Sequence, residues 1–98
     1  MEDYRNEDID LSEANFLELQ KISAKYRKDV KYSSSYYDDH YEYRHVTLPK
    51  NIAKYLPKET YLTSSTWKHF GIQQSLNWEH YLIYEREPHI LLFRRVLK

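Results

Sequence analysis

An indole and a guanidinium on one face of a β-hairpin are the residues of this sequence best placed to do chemistry. The stretch from His80 to Arg95 reads as two strands joined at a charged turn that contains Pro88. On the first strand Trp78, His80, Leu82 and Tyr84 share one face, and Glu79, Tyr81, Ile83 and Glu85 the other. Closing the turn with Tyr84 opposite His89 brings Trp78 opposite Arg95 as a cross-strand pair. An N–H donor beside a forked cation is a beginning for an anion site. A cation–π contact at the sheet edge, with no ligand, is the plainer reading of that pair alone. Other chemistries find less support. His40, His45, His69, His80 and His89 show no compact ligand spacing on one element, so no metal and no cofactor is expected. Eleven tyrosines could stack on single-stranded nucleic acid, but the net charge is zero and no RNP-like or helix-turn-helix pattern is present.

The elements that must position these groups follow from composition and pattern. Ninety-eight residues form one domain with a modest core. Absent cysteine leaves no disulfide and no thiolate ligand, which fits a reducing compartment. No signal peptide and no membrane-spanning run is expected. Residues 1–20 hold seven acids and one base, while residues 30–98 hold seven acids and ten bases. Residues 1–29 therefore read as an extension, an acidic tip followed by a helix. Asp10 with Glu13 forms a capping-box pattern, and Leu11 with Phe16 around Ser12 a hydrophobic staple. Phe16, Leu19, Ile22 and Tyr26 mark one helical face, and Lys21, Lys25, Arg27 and Lys28 follow the leading acids. That helix is expected to pack on the flank of a body formed by residues 30–98; a partner-binding helix is the alternative.

Val30–Tyr37 reads as a first strand, Asp38–His40 as a turn, and Tyr41–Leu48 as a second, alternating strand. Pro49 suits the first turn of a short helix from Lys50 to Leu56, stopped by Pro57. Thr63 or Ser64 caps a second short helix through Trp67 and Phe70, which Gly71 ends. The hairpin completes the chain, with Ile90–Phe93 apolar on both faces, as a central strand covered on each side would be. The expected class is α+β: a four-stranded antiparallel sheet, two short helices between strands 2 and 3, and an N-terminal helical extension.

Three blocks, Tyr41–Lys50, Gly71–Trp78 and Glu87–Arg95, resemble the cyclin-dependent kinase regulatory subunits, the Cks family. The resemblance runs from about Tyr32 to Arg95 in one order without a large gap. It implies a sheet whose last strand lies between the second and third, no catalytic activity, and an adaptor role in the cell cycle. It implies a phosphothreonine pocket at Arg44, Ser75, Trp78 and Arg95, two forked cations with a hydroxyl and an indole donor. It implies a surface for a cyclin-dependent kinase at Tyr36, Asp38, Tyr81, Leu82, Tyr84, Glu85 and Glu87. The implied hinge is Glu85, Arg86, Glu87 and Pro88, through which some members exchange their last strand in a homodimer. Partners are thus a kinase and phosphorylated protein substrates, with multisite phosphorylation the outcome, no nucleic acid and no membrane expected, and a cytoplasmic and nuclear location.

The chain departs from the family pattern at four places. Ser35 stands where a lysine or arginine is usual, and losing that cation weakens charge-assisted binding by about 1–2 kcal/mol. Tyr84 replaces a common histidine, Leu82 is a mild variation, and Arg86 replaces a proline that would stiffen the hinge. A phosphate-chemistry enzyme would need a nucleophile near Arg44 and Arg95, and Ser75 has no evident base. The remaining alternative is a phosphopeptide or single-stranded nucleic-acid module that no longer binds kinase.

Overall fold

The structure, a computed structural model, describes residues 13–57 and 59–97. The capping box at Asp10 and the staple at Leu11 and Ser12 lie outside the described residues. Helix α1 spans Glu13–Tyr26 and runs into a 3₁₀ turn, Arg27–Asp29. Two short strands follow, β1 (Lys31–Tyr32) and β2 (Tyr36–Tyr37), then the longer β3 (Tyr41–Thr47). Helices α2 (Lys50–Ala53) and α3 (Ser64–Trp67), the latter extended by a 3₁₀ turn Lys68–Phe70, precede β4 (Glu79–Ile83) and β5 (Ile90–Val96). The sheet is antiparallel, in the order β1-β3-β5-β4 with β2 also on β3. The fold is α+β, and the last strand does lie between β3 and β4.

Three details of the expected architecture change. The sheet has five strands and not four, because the expected first strand is broken at Ser33–Ser35. Tyr32 pairs with Val46, but Tyr36 pairs with Tyr43, so one extra residue is accommodated between them. Ser33 makes the break stable: its N–H donates to the His45 carbonyl at 2.9 Å and its Oγ accepts from the His45 N–H at 2.9 Å. The first short helix is shorter than Lys50–Leu56. It ends at Ala53 and decays into turns through Leu56, and Pro49 sits before its first turn, lending its carbonyl to the Ile52 and Ala53 N–H groups. Thr63 does occupy the cap position of α3, yet its hydroxyl pairs with those of Ser65 and Thr66 rather than with the backbone.

The hairpin is the third. Glu79 pairs with Arg94 and His80 with Phe93, but Leu82 pairs with Leu92 and Ile83 with Leu91. The bulge at Tyr81 removes the closure of Tyr84 on His89; the turn is closed instead by Glu87 N–H to the Tyr84 carbonyl and Ile90 N–H to the Glu87 carbonyl. Because side chains alternate, one inserted residue moves everything beyond it to the other face. Leu82, expected beside His80, is consequently 48% exposed on the opposite face.

One hydrophobic cluster lies under the other side of the sheet. Val46, Leu91 and Phe93 supply its floor, with Leu48, Ile52, Leu62, Trp67, Phe70 and Ile72 from the α2–α3 segment above. Ile90 and Leu92, pointing the other way, are only half-buried, so the central strand is covered fully on one face. Leu19 of α1 is fully buried in the same cluster, with Ile22 and Tyr26 packed against it. Gly71 ends the 3₁₀ turn after α3 at φ +85°, and a Cβ there would lie 3.4 Å from both Ser23 and Arg27 of the helical segment.

His80 is a buried polar group against this core. Its Nδ1 accepts the Leu62 N–H at 2.9 Å, and burial lowers its pKa from 6.5 to about 4. The neutral ring is favoured by folding, so the unfolded chain binds this proton more strongly. Stability complete above pH 6.5 is therefore lost as the pH falls from 6.5 toward 4. Urea unfolding at pH 7 and pH 5 should show a loss of about 2 kcal/mol, with a shallower dependence in His80→Gln. An unchanged slope in that variant would assign the loss to other groups.

Candidate functional site

Cross-strand partners share a face, so the pairing of β3 with β5 sorts the polar residues into two sets. Arg44 lies opposite Phe93 and Glu42 opposite Arg95, on the core side. Tyr43 lies opposite Arg94 and His45 opposite Leu92, on the open side. Two candidate surfaces result from neighbouring residues on the same two strands.

The core-side set gathers at the end of the sheet where the hydrophobic cluster stops. The Trp78 ring, nearly buried, has the Arg44 guanidinium 4.6 Å and the Arg95 guanidinium 4.5 Å from its centroid. Arg44 also lies 5.0 Å from the Tyr32 ring, and its Nε and Nη2 donate to Gln74 Oε1 at 3.2 and 2.5 Å. Two cations on one aromatic platform repel each other, so ring faces and fixed acceptors must hold them. Burial, with a further contribution from Arg95, lowers the Arg44 pKa, though the guanidinium stays charged. Ser75 belongs to the same segment, its carbonyl accepting the Trp78 N–H at 3.4 Å while its own residue is exposed. The structure thus brings Arg44, Trp78 and Arg95 together, with Ser75 on the turn beside them.

Glu42, Gln74 and Tyr32 belong to this site and were not anticipated. Glu42, 8% exposed, accepts Arg95 Nε at 2.6 Å, Ser35 Oγ at 2.7 Å and the Tyr37 hydroxyl at 3.3 Å. Arg95 first, then Ser35, hold its carboxylate below the ordinary range. Tyr32 accepts the Gln73 N–H at 2.7 Å and so ties β1 to the loop that carries Gln74 and Ser75. The signal for Glu42 was its phase: it lies two residues before Arg44 on an alternating strand. The register against β5 that makes it Arg95's partner is set by long-range pairing that local pattern does not specify.

The open-side set is aromatic. Tyr36 stacks on Tyr43 at 5.5 Å and 12°, and Tyr43 meets Tyr81 at 5.5 Å. Arg94 lies 4.2 Å from the Tyr41 ring and 5.0 Å from the Tyr81 ring, with its Nε on Glu79 at 3.1 Å. Asp38 fixes one corner. Its Oδ1 accepts the His40 and Tyr41 N–H groups, an Asx-type turn, and its Oδ2 accepts the Tyr43 hydroxyl. Leu82 and Tyr84 continue this surface with substantial exposure. At the turn, Glu85, Arg86 and Glu87 are exposed, as is Pro88, and Glu87 approaches His89 at 3.9 Å. Tyr36, Asp38, Tyr81 and Leu82 therefore share one face, with Tyr84, Glu85 and Glu87 along its turn end.

Neither surface holds the parts of a metal centre: among the described residues no three His, Asp or Glu side chains cluster with metal-binding geometry. Also among them, no helix is long and apolar enough to cross a membrane.

The sequence pattern of the family described as cyclin-dependent kinase regulatory subunit matches residues 30–97. The chain is 56% identical over 70 residues to cyclin-dependent kinases regulatory subunit 2 of Xenopus laevis, covering 71% of this chain and 89% of that one. It is 54% identical over 68 residues to the cyclin-dependent kinases regulatory subunit of Drosophila melanogaster, covering 69% and 92%. Over the same length it is also 54% identical to regulatory subunit 2 of Arabidopsis thaliana, covering 69% and 82%.

The Asp38–Tyr43 bond has a spectroscopic consequence. The phenol beside that carboxylate is pushed up to about 12, because ionising it would lose the hydrogen bond and oppose two negative charges. Tyrosine-labelled NMR at pH 11 should find Tyr43 still neutral, and Asp38→Ala should return its titration toward 10. A Tyr43 resonance that titrates near 10 in the native chain would contradict the bond.

Proposed function

The chain belongs to the cyclin-dependent kinase regulatory subunit family, and from that membership we propose that it is a two-sided adaptor that binds a cyclin-dependent kinase and docks phosphothreonine-containing substrates. It is a regulatory subunit and not an enzyme. The observation that carries the two-sided reading is the alternation of β3, which sends Tyr43 and Arg44, neighbours in sequence, to opposite faces of one sheet.

In this reading the open face receives the kinase. Tyr36, Tyr81, Leu82 and Tyr84 offer aromatic and aliphatic anchors, while Asp38, Glu85 and Glu87 add carboxylates at its edges. The hairpin turn is folded back so that β4 and β5 pair within one chain, the arrangement expected of the kinase-binding monomer. The core-side end receives the phosphothreonine. Arg44 and Arg95 supply charge-assisted donors, the Trp78 indole and the Ser75 hydroxyl neutral ones. Holding a substrate that already carries one phosphate raises the local concentration of its remaining sites at the kinase. The gain is one of effective molarity, and no bond is made or broken by this chain.

The two faces predict separable losses. Glu87→Gln should weaken binding to a purified cyclin-dependent kinase at least about tenfold in calorimetry, the cost of removing one charge from an oriented interfacial contact. Arg95→Ala should leave that affinity unchanged and abolish the preference for multisite phosphorylation of a phosphothreonine-primed substrate. Parallel loss of both properties in both variants would refute the separation.

A further inference from the structure

The candidate anion site contains an anion of its own. Glu42 is nearly buried against Arg95, and its other two donors, Ser35 and Tyr37, are neutral hydroxyls. Those hydroxyls stabilise the carboxylate without cancelling its charge. Arg44 has ring faces and the Gln74 amide oxygen as its contacts, and no carboxylate bonds it among the described residues. Two guanidiniums against one carboxylate leave the site with a single net positive charge. Arg95 is engaged through Nε, so an incoming oxyanion meets its terminal nitrogens with Glu42 on the far edge of the same guanidinium.

We infer that Glu42 is the charge-selecting residue of this site, and that the site takes singly charged tetrahedral oxyanion esters about as well as doubly charged ones. The inference rests on the reading of Arg44, Trp78 and Arg95 as a phosphothreonine site and adds to it which charge state is favoured. The first negative charge of a ligand is matched by the net charge of the site. The second meets the same net field, already reduced by Glu42, while the cost of stripping water from a dianion rises more steeply than its charge, so it adds little. Ser35 is what leaves this balance in place, because its Oγ occupies the position, 2.7 Å from Glu42 Oε2, where a cation would neutralise the carboxylate. Glu42 stays ionised at neutral pH because all its donors favour the charged form.

The test compares one threonine peptide bearing either a phosphate ester, close to a dianion at pH 7.5, or a sulfate ester, a monoanion of the same shape. Native protein should bind the two within about threefold of each other, whereas Glu42→Gln should favour the phosphate by about tenfold, the scale of one unit charge removed at short range. Ser35→Lys should shift the ratio in the same direction while keeping the Arg95–Glu42 pair, so the test survives if Glu42→Gln does not fold. A tenfold phosphate preference in the native chain, unchanged in either variant, would overturn the role of Glu42 and leave the phosphothreonine site standing. Binding of neither peptide by folded native protein would overturn the phosphothreonine site itself, and the charge selection with it.

Discussion

The pairing of Tyr41–Thr47 with Ile90–Val96 is the constraint on which the rest depends. Seven consecutive residue pairs hold the two central strands in one register, and that register is pinned by Val46, Leu91 and Phe93 facing the core. Shifting it by one residue would put those three side chains in water and the open-face tyrosines and Arg94 into the core. Burial of Phe93 and Leu91 therefore also sets which polar residues meet: Glu42 with Arg95, and Tyr43 with Arg94. The polar sites are positioned by a hydrophobic decision made two residues away.

Departures from regular pairing occur on the two flanking strands, and each changes which residues reach the open face. The break at Ser33–Ser35 turns Tyr36 toward Tyr43, and the bulge at Tyr81 turns Leu82 toward Leu92. Both residues belong to the surface proposed to meet the kinase. An edge segment can accept an extra residue because only one side of it is bonded, whereas β3 and β5 are bonded on both sides. The same insertion brings Ser35 and Tyr37 to Glu42, so a single irregularity serves both faces.

Much of this was legible in the sequence, and what was not has a physical reason. The alternation of Tyr41–Leu48 gave β3, the apolar run Ile90–Phe93 gave a central strand, and Gly71 marked a left-handed stop. Counting back along the hairpin placed Trp78 beside Arg95, which holds because the pairing from Glu79 and His80 outward obeys that count. Strict alternation puts Leu82 on the wrong face because it cannot see a bulge. Three serines made the first strand hard to read, and they prove to be where it breaks. Glu42 escaped notice since its partner lies 53 residues away, a distance that local pattern does not bridge.

The helix that precedes the family-matched region bears on the site as well as on the core. Leu19 is buried completely, so in a chain this small α1 contributes to a core with little to spare. Its later turns meet the far end of the site. Ser23 and Arg27 lie against Gly71, whose lack of a Cβ allows the approach. From Gly71 the chain passes directly to Gln73, Gln74 and Ser75, with Tyr32 holding the Gln73 N–H from the other side. The loop that fixes Arg44 is thus anchored between α1 and β1. Loosening the packing of α1 would remove one of the two supports of the loop that carries Gln74. The arginine with no carboxylate to hold it depends on that loop for its only fixed hydrogen-bond acceptor among the described residues.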